Sequence, residues 1–171
     1  MGENDQTGMS EAHPTATGSS SRFVGSYPHA LDAKGRVVIP QAFREGLGNP
    51  FTIAPSQDFK AICLYANGEW DRVRARYDSY GNNSKVRKFL VLFDAFSFRG
   101  QEFDNQGRIL VPQRIRRQVL GDEKDIEISG AGNTVRITTS TYFNSMLADV
   151  LADMPEIENE IDRLDELTAA R

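Results

Sequence analysis

The chain has 171 residues, 20 Lys and Arg against 24 Asp and Glu, a formal net charge of −4 and 39% hydrophobic residues. That suits one compact domain or two very small ones and excludes a large multidomain enzyme. Apolar runs such as Phe-Leu-Val-Leu-Phe at 89–93 fall far short of the roughly 20 residues of a membrane-spanning helix.

Residues 1–21 carry three acids, no Lys or Arg and no apolar stretch. Neither a secretory signal nor a basic transit peptide fits them, so a soluble cytoplasmic protein is expected. Rich in Ser, Thr and Gly, they cannot bury enough surface to offset the entropy of ordering, and a disordered tail is expected there.

The first structured stretch reads as strand, tight turn, strand, short helix. In Leu31-Asp32-Ala33-Lys34-Gly35-Arg36-Val37-Val38-Ile39-Pro40, Asp32 can accept a hydrogen bond from a backbone N–H two residues on, and Gly35 can take the positive φ that such a turn demands. Pro40 ends the second strand and fits the first turn of a helix over Gln41–Leu47. Strands follow at 51–53 and 61–66, then helical patterns at 69–80 and 85–93. The lone cysteine, Cys63, lies between Ile62 and Leu64. It makes neither an intramolecular disulfide nor a Cys-rich metal site, and a buried strand position is expected.

Sliding the chain by 72 positions reveals an internal repeat. Phe103-Asp104-Asn105-Gln106-Gly107-Arg108-Ile109-Leu110-Val111-Pro112-Gln113-Arg114-Ile115-Arg116 aligns with 31–44, with Asp, Gly, Arg, Pro, Gln and the final Arg identical in register and the core-type positions apolar throughout. Asp104 and Gly107 repeat the turn, and a second short helix is expected over Gln113–Leu120. A hairpin at 125–129 and 134–138 follows, around Gly130-Ala131-Gly132-Asn133. From Tyr142 onward, Leu147, Leu151, Met154, Ile157, Ile161, Leu164 and Leu167 recur three or four apart between acids. This is an amphipathic helix that Pro155 should break or restart, its apolar face suited to packing or self-association.

Charge is segregated. Residues 22–121 hold sixteen basic and nine acidic side chains, and residues 122–171 hold four basic and twelve acidic ones. A basic centre with an acidic tail fits a protein that meets a polyanion with one face. No catalytic constellation accompanies it: His13 lies in the expected tail, His29 has no nucleophile in context, and neither a phosphate-cradling Gly-rich loop nor a zinc-ligand spacing occurs. No catalytic residue, metal site or cofactor is therefore expected. The repeat instead offers two sharp turns, each followed at once by an arginine, Arg36 or Arg108, with Lys34 a second cation at the first tip. A guanidinium suits phosphate oxygens and guanine edges, and a two-stranded ribbon is slim enough for a major groove. The alternative is that each arginine pairs with Asp32 or Asp104 and locks its turn, and the sequence leaves both open. Arg44, Arg72, Arg74, Arg76, Arg114, Arg116 and Arg117 fall on the expected helices, most of them as surface charges.

The stretch Phe23-Val24-Gly25-Ser26-Tyr27-Pro28-His29-Ala30 continuing through Pro40, then Phe43-Arg44, closely resembles the opening of the MraZ family, bacterial transcription regulators of the SpoVT-AbrB type of fold. The second copy, with Gly130-Ala131-Gly132-Asn133, resembles that family's second motif, so the resemblance covers about residues 22–145. It implies an α+β, mainly β fold: two swapped-hairpin repeats forming a pseudo-dimeric double-split β-barrel with short peripheral helices. The implied organisation is a tail at 1–21, a first repeat with linking helices at 22–92, a second repeat at 93–145, and an acidic amphipathic helix at 146–171. It also implies ring-shaped homo-oligomers, nucleoid association, and binding of double-stranded DNA at short direct repeats upstream of the protein's own division and cell-wall gene cluster. The family's Asp-x-x-x-Arg element carries over to Asp32 with Arg36 and Asp104 with Arg108. Lys34, Arg36, Arg108 and Gln106 are then the expected DNA contacts, and Asp32, Gly35, Asp104 and Gly107 the turn-structuring residues. Three features depart from the family: Gln106 stands where the first copy has Lys34, Thr138 stands where an aromatic often ends the strand, and the acidic tail is longer than usual.

Overall fold

The computed structural model describes residues 22–169; the expected tail at 1–21, with His13, lies outside the described residues. One order of elements occurs twice. The first copy runs β1 (Ser26–Ala30), β2 (Arg36–Val38), α1 (Gln41–Leu47), β3 (Phe51–Pro55), β4 (Ile62–Tyr65), α2 (Asn67–Asp78) and α3 (Ser84–Ala95). The second runs β5 (Phe98–Gln101), β6 (Arg108–Leu110), α4 (Gln113–Leu120), β7 (Asp125–Ala131), β8 (Thr134–Thr139), α5 (Ser140–Ala152) and α6 (Met154–Ala169). The acidic C-terminal segment thus occupies the place that α2 and α3 hold in the first copy, and α6 restarts one residue before Pro155, after a break at Asp153.

The short helices begin and end where local chemistry dictates. Pro40 and Pro112 sit at the N-cap positions with φ −50° and −54° and extended ψ, one residue earlier than the first helical turn. Proline has a preset φ and no N–H to leave unpaired at that entry. Gly48 and Gly121, at φ +74° and +60°, close the same helices.

All strand pairs are antiparallel. A six-stranded sheet runs β1-β7-β8-β4-β3-β5, and β2 pairs only with β6 in a separate two-stranded ribbon. The order is palindromic under exchange of copies, with β4 against β8 at the centre, where Ile62 faces Ile137 and Leu64 faces Val135. The α+β class expected from the sequence is observed, but the expected mainly β balance with short peripheral helices is corrected: the six helices hold more residues than the eight strands, because α2, α3, α5 and α6 each run 12 to 16 residues. The barrel is corrected in one respect: the ladders leave β1 and β5 as edges and do not close, because the three-residue β2 and β6 spend their pairing on each other.

That cross-pairing makes one core out of both copies. Val37, Ile39, Phe43, Leu47, Phe51, Ile53, Ile62 and Leu64 are buried together with Ile109, Val111, Ile115, Leu120, Ile126, Ile128, Val135 and Ile137. A second cluster lies under α2 and α3, where Trp70 stacks on Phe93 at 5.5 Å and Tyr77 and Phe89 pack against Phe93, each at 5.3 Å. Arg74 ties that pair of helices, reaching Asp78 on its own helix and Asp94 on α3. No residue of α5 or α6 is buried, and Leu147, Val150, Leu151, Ile161, Leu164 and Leu167 are exposed.

Cys63 is buried in β4 and its thiol is pushed up to about 11 by burial, so it is inert packing. No helix of the described residues is long and apolar enough to cross a membrane.

Candidate nucleic-acid interface

The two Asp-x-x-Gly-Arg turns adopt one geometry. In the first, the Gly35 N–H donates to the Asp32 carbonyl at 2.9 Å, and the Asp32 N–H donates to the Arg36 carbonyl at 2.9 Å. Asp32 Oδ1 accepts from the backbone N–H groups of Lys34 and Arg36 at 2.9 and 2.8 Å, and Asp32 Oδ2 accepts from Arg36 Nε at 2.7 Å. The second turn repeats this. Asp104 Oδ1 accepts from the N–H groups of Gln106 and Arg108 at 2.9 Å each, and Asp104 Oδ2 accepts from Arg108 Nε at 2.7 Å. Gly35 and Gly107 take φ +79° and +72°, a region that a Cβ penalises.

The electrostatics follow from these bonds. The Asp32 carboxyl is held down at about 2, chiefly by the hydrogen bond from the Arg36 backbone N–H, with the Arg36 guanidinium and the Lys34 N–H adding to it against a desolvation penalty. Asp104 is lowered for the same reasons, led by the Arg108 N–H. Each arginine commits Nε to its aspartate, and among the described residues its terminal N–H groups take no protein partner. The locked pairing is thus what the turn contains, and it aims a guanidinium whose outer nitrogens are free. Lys34 and Gln106 stand exposed at the two tips.

Each tip is also clamped by the other copy. The Ile39 N–H donates to the Gly107 carbonyl at 3.0 Å, and the Val111 N–H donates to the Gly35 carbonyl at 3.1 Å. Arg116, on α4, lies where a Gly35 side chain would be: a Cβ there would fall 1.1 Å from Arg116 Nη1. Arg44, on α1, covers Gly107 in the same way, with Cζ at 2.0 Å from such a Cβ, and its Nε donates to the Ile39 carbonyl at 2.7 Å.

Arg44 and Arg116 are therefore half-buried braces of the turns, not the surface charges expected of most helical arginines. The signal for them was available, since the arginine that closes the repeated motif is identical in both copies. Among the others, Arg74 bridges helices, Arg114 lies over the Phe96 ring at 5.0 Å, and Arg72 pairs with Glu69 on the surface.

The structure thus brings Asp32, Lys34, Gly35 and Arg36 together at one tip and Asp104, Gln106, Gly107 and Arg108 at the other, joined by the ribbon. Pairing Arg36 with Leu110 and Val38 with Arg108 puts both arginines on the ribbon's outer face, while Val37 and Ile109 are buried beneath it.

The chain is similar to known proteins over most of its length. A family model described as "MraZ protein, putative antitoxin-like" matches residues 23–90. A transcriptional regulator MraZ of Acetivibrio thermocellus is 39% identical over 128 residues, covering 74% of this chain and 87% of that protein. Proteins of the same name from Alkaliphilus oremlandii and Carboxydothermus hydrogenoformans are each 32% identical, the first covering 83% of this chain and 98% of its own length and the second 81% and 96%. On that similarity, which spans both turns and the helices that brace them, the chain belongs to the MraZ family.

Proposed function

We propose that this protein is a sequence-specific DNA-binding transcriptional regulator, non-enzymatic, that meets duplex DNA with the two turn tips. The observation that carries the reading is the geometry of Arg36 and Arg108. Each guanidinium is held at Nε by its own aspartate on a rigid turn, and among the described residues its outer nitrogens take no partner. A preset fork of donors suits phosphate oxygens or the O6/N7 edge of guanine. The relatives' name, transcriptional regulator MraZ, supports the same conclusion.

Within that reading, the two repeats, 22–92 and 93–145, form one pseudo-dimeric DNA-binding unit, and 146–171 serves assembly. The six exposed aliphatics of α5 and α6 support a homo-oligomer. A ring of subunits on short direct repeats upstream of its own division and cell-wall gene cluster makes sense of tips with one or two cations. Each binds weakly alone, and several at fixed spacing raise avidity by roughly two to four orders of magnitude. A soluble protein that works at the nucleoid is the corresponding location. Lys34 and Arg36 contribute more phosphate contact than Gln106 and Arg108, since the second tip has one cation fewer.

The test is binding of the purified protein to its own upstream DNA across salt concentration, beside an Arg36→Ala/Arg108→Ala double variant. Affinity should fall by orders of magnitude between about 50 and 200 mM salt, as several phosphate contacts require, and the folded variant should lose binding. A second reading, an oligomeric scaffold that docks proteins through its acidic C-terminal helices, draws on the same exposed aliphatics and predicts no steep salt dependence. A folded wild type that ignores DNA at low salt would favour it.

A further inference from the structure

We propose that the outer face of the β2–β6 ribbon reads thymine 5-methyl groups in the DNA major groove, with Leu110 as the principal contact and Val38 as the lesser one. This rests on the DNA-binding reading and adds to it a source of sequence specificity beyond the arginines.

The antiparallel register Arg36 to Leu110, Val37 to Ile109 and Val38 to Arg108 sorts the ribbon into two faces. Val37 and Ile109 enter the core at 2% and 1% exposure, which leaves Arg36, Val38, Arg108 and Leu110 outward. An outward position on a half-buried strand is ordinarily polar. Here both copies put an aliphatic there, and both are open to solvent, Val38 at 39% and Leu110 at 57%. The patch is an alternating quartet, with each aliphatic across the ladder from a guanidinium.

Size and charge identify the occupant. Two residues along each of two strands cover roughly 7 Å by 5 Å, close to two stacked base pairs. A stable protein interface needs about 1,000 Å² or more, and a protein partner would have to supply carboxylates for both guanidinia. A major groove supplies phosphates and guanine edges for the arginines, and the apolar group it offers between them is the thymine methyl. The ribbon's near two-fold symmetry is broken at the same place, by Leu110 against Val38 and by Gln106 against Lys34. The site it reads therefore has a direction, and the methyl under Leu110 matters more.

The experiment enriches a binding site from random duplex DNA with the full chain, then replaces each thymine by deoxyuridine, which deletes only the methyl. At one or two positions the wild type should bind about 4-fold more weakly, the worth of burying one methyl group. Leu110→Ala, an exposed substitution, should bind the thymine and uracil forms of its position equally, Val38→Ala should do so at the other, and both should keep the wild-type salt dependence. A wild type indifferent to every replacement, or a folded Leu110→Ala with full discrimination, overturns the methyl contact while leaving DNA binding intact. Enrichment of no sequence at low salt overturns the DNA-binding reading and this inference with it.

Discussion

Arg116 occupies the space that a side chain on Gly35 would need. Its Nη1 lies 1.1 Å from the position of a Gly35 Cβ and donates to the Lys34 carbonyl at 3.3 Å, so a helix of the second copy holds the turn of the first. Gly35→Ala should cost about 2–3 kcal/mol: roughly 1–2 for a Cβ at φ +79° and the rest for displacing the arginine from its carbonyl. On an Arg116→Ala background the same change should cost only the backbone part, so urea denaturation of the four proteins should show about 1 kcal/mol of coupling. Additive costs would mean that Arg116 does not brace the turn.

The Asp32 carboxyl sits at about 2 in the folded protein against an ordinary 3.8, held there first by the Arg36 backbone N–H. For a depressed carboxylate the stabilisation is fully present above the unfolded value and is lost as pH falls through the folded one. The turn should therefore stay closed through pH 4 and open only as pH falls from 3.8 toward 2. The Asp32 carboxyl carbon shift, followed by NMR, should titrate near 2, with Asp104 also below the usual range. A midpoint for Asp32 at an ordinary carboxylate pH would contradict the bond pattern of the turn.

Thr138, at 2% exposure, carries the one buried side-chain polar atom among the described residues with no hydrogen-bond partner. Thr138→Val keeps the branched shape and removes the unpaired hydroxyl, so it should stabilise the fold by about 1 kcal/mol. Thermal unfolding of the variant should move upward by a few degrees, on the order of 2–4 °C for a chain of this size. A lower midpoint would show that the hydroxyl is satisfied.

The helical pairs of the two copies differ in how they bury themselves. α2 and α3 close over Trp70 and Phe93, whereas α5 and α6 leave Leu151 61% and Leu164 49% exposed. Under the proposed assembly through α5 and α6, Leu151→Glu with Leu164→Glu should leave the circular dichroism of the chain unchanged and reduce its mass in solution to that of a monomer by light scattering. An unchanged oligomer would place its interface elsewhere.

Much of this was legible without coordinates because it is local. The Asp-x-x-Gly-Arg turns need only an acceptor two residues ahead of an amide and a glycine at positive φ, so Asp32, Gly35, Asp104 and Gly107 could be assigned from spacing. Pro40 and Pro112 marked the starts of α1 and α4, and the expected spans Gln41–Leu47 and Gln113–Leu120 match to the residue. Cys63 read as buried because its neighbours are apolar on both sides. Tertiary structure alone decided the partners. Each short strand, β2 and β6, pairs across the repeat, which only the shared burial of Val37 and Ile109 rewards. Arg44 and Arg116 look like helix-surface cations until the opposite copy's glycine, 63 positions away for Arg44 and 81 for Arg116, removes the side chain that would have kept them out. A sequence pattern records what a residue prefers within a turn or a helix; which distant backbone it meets is set by how two copies of the same unit close a single core.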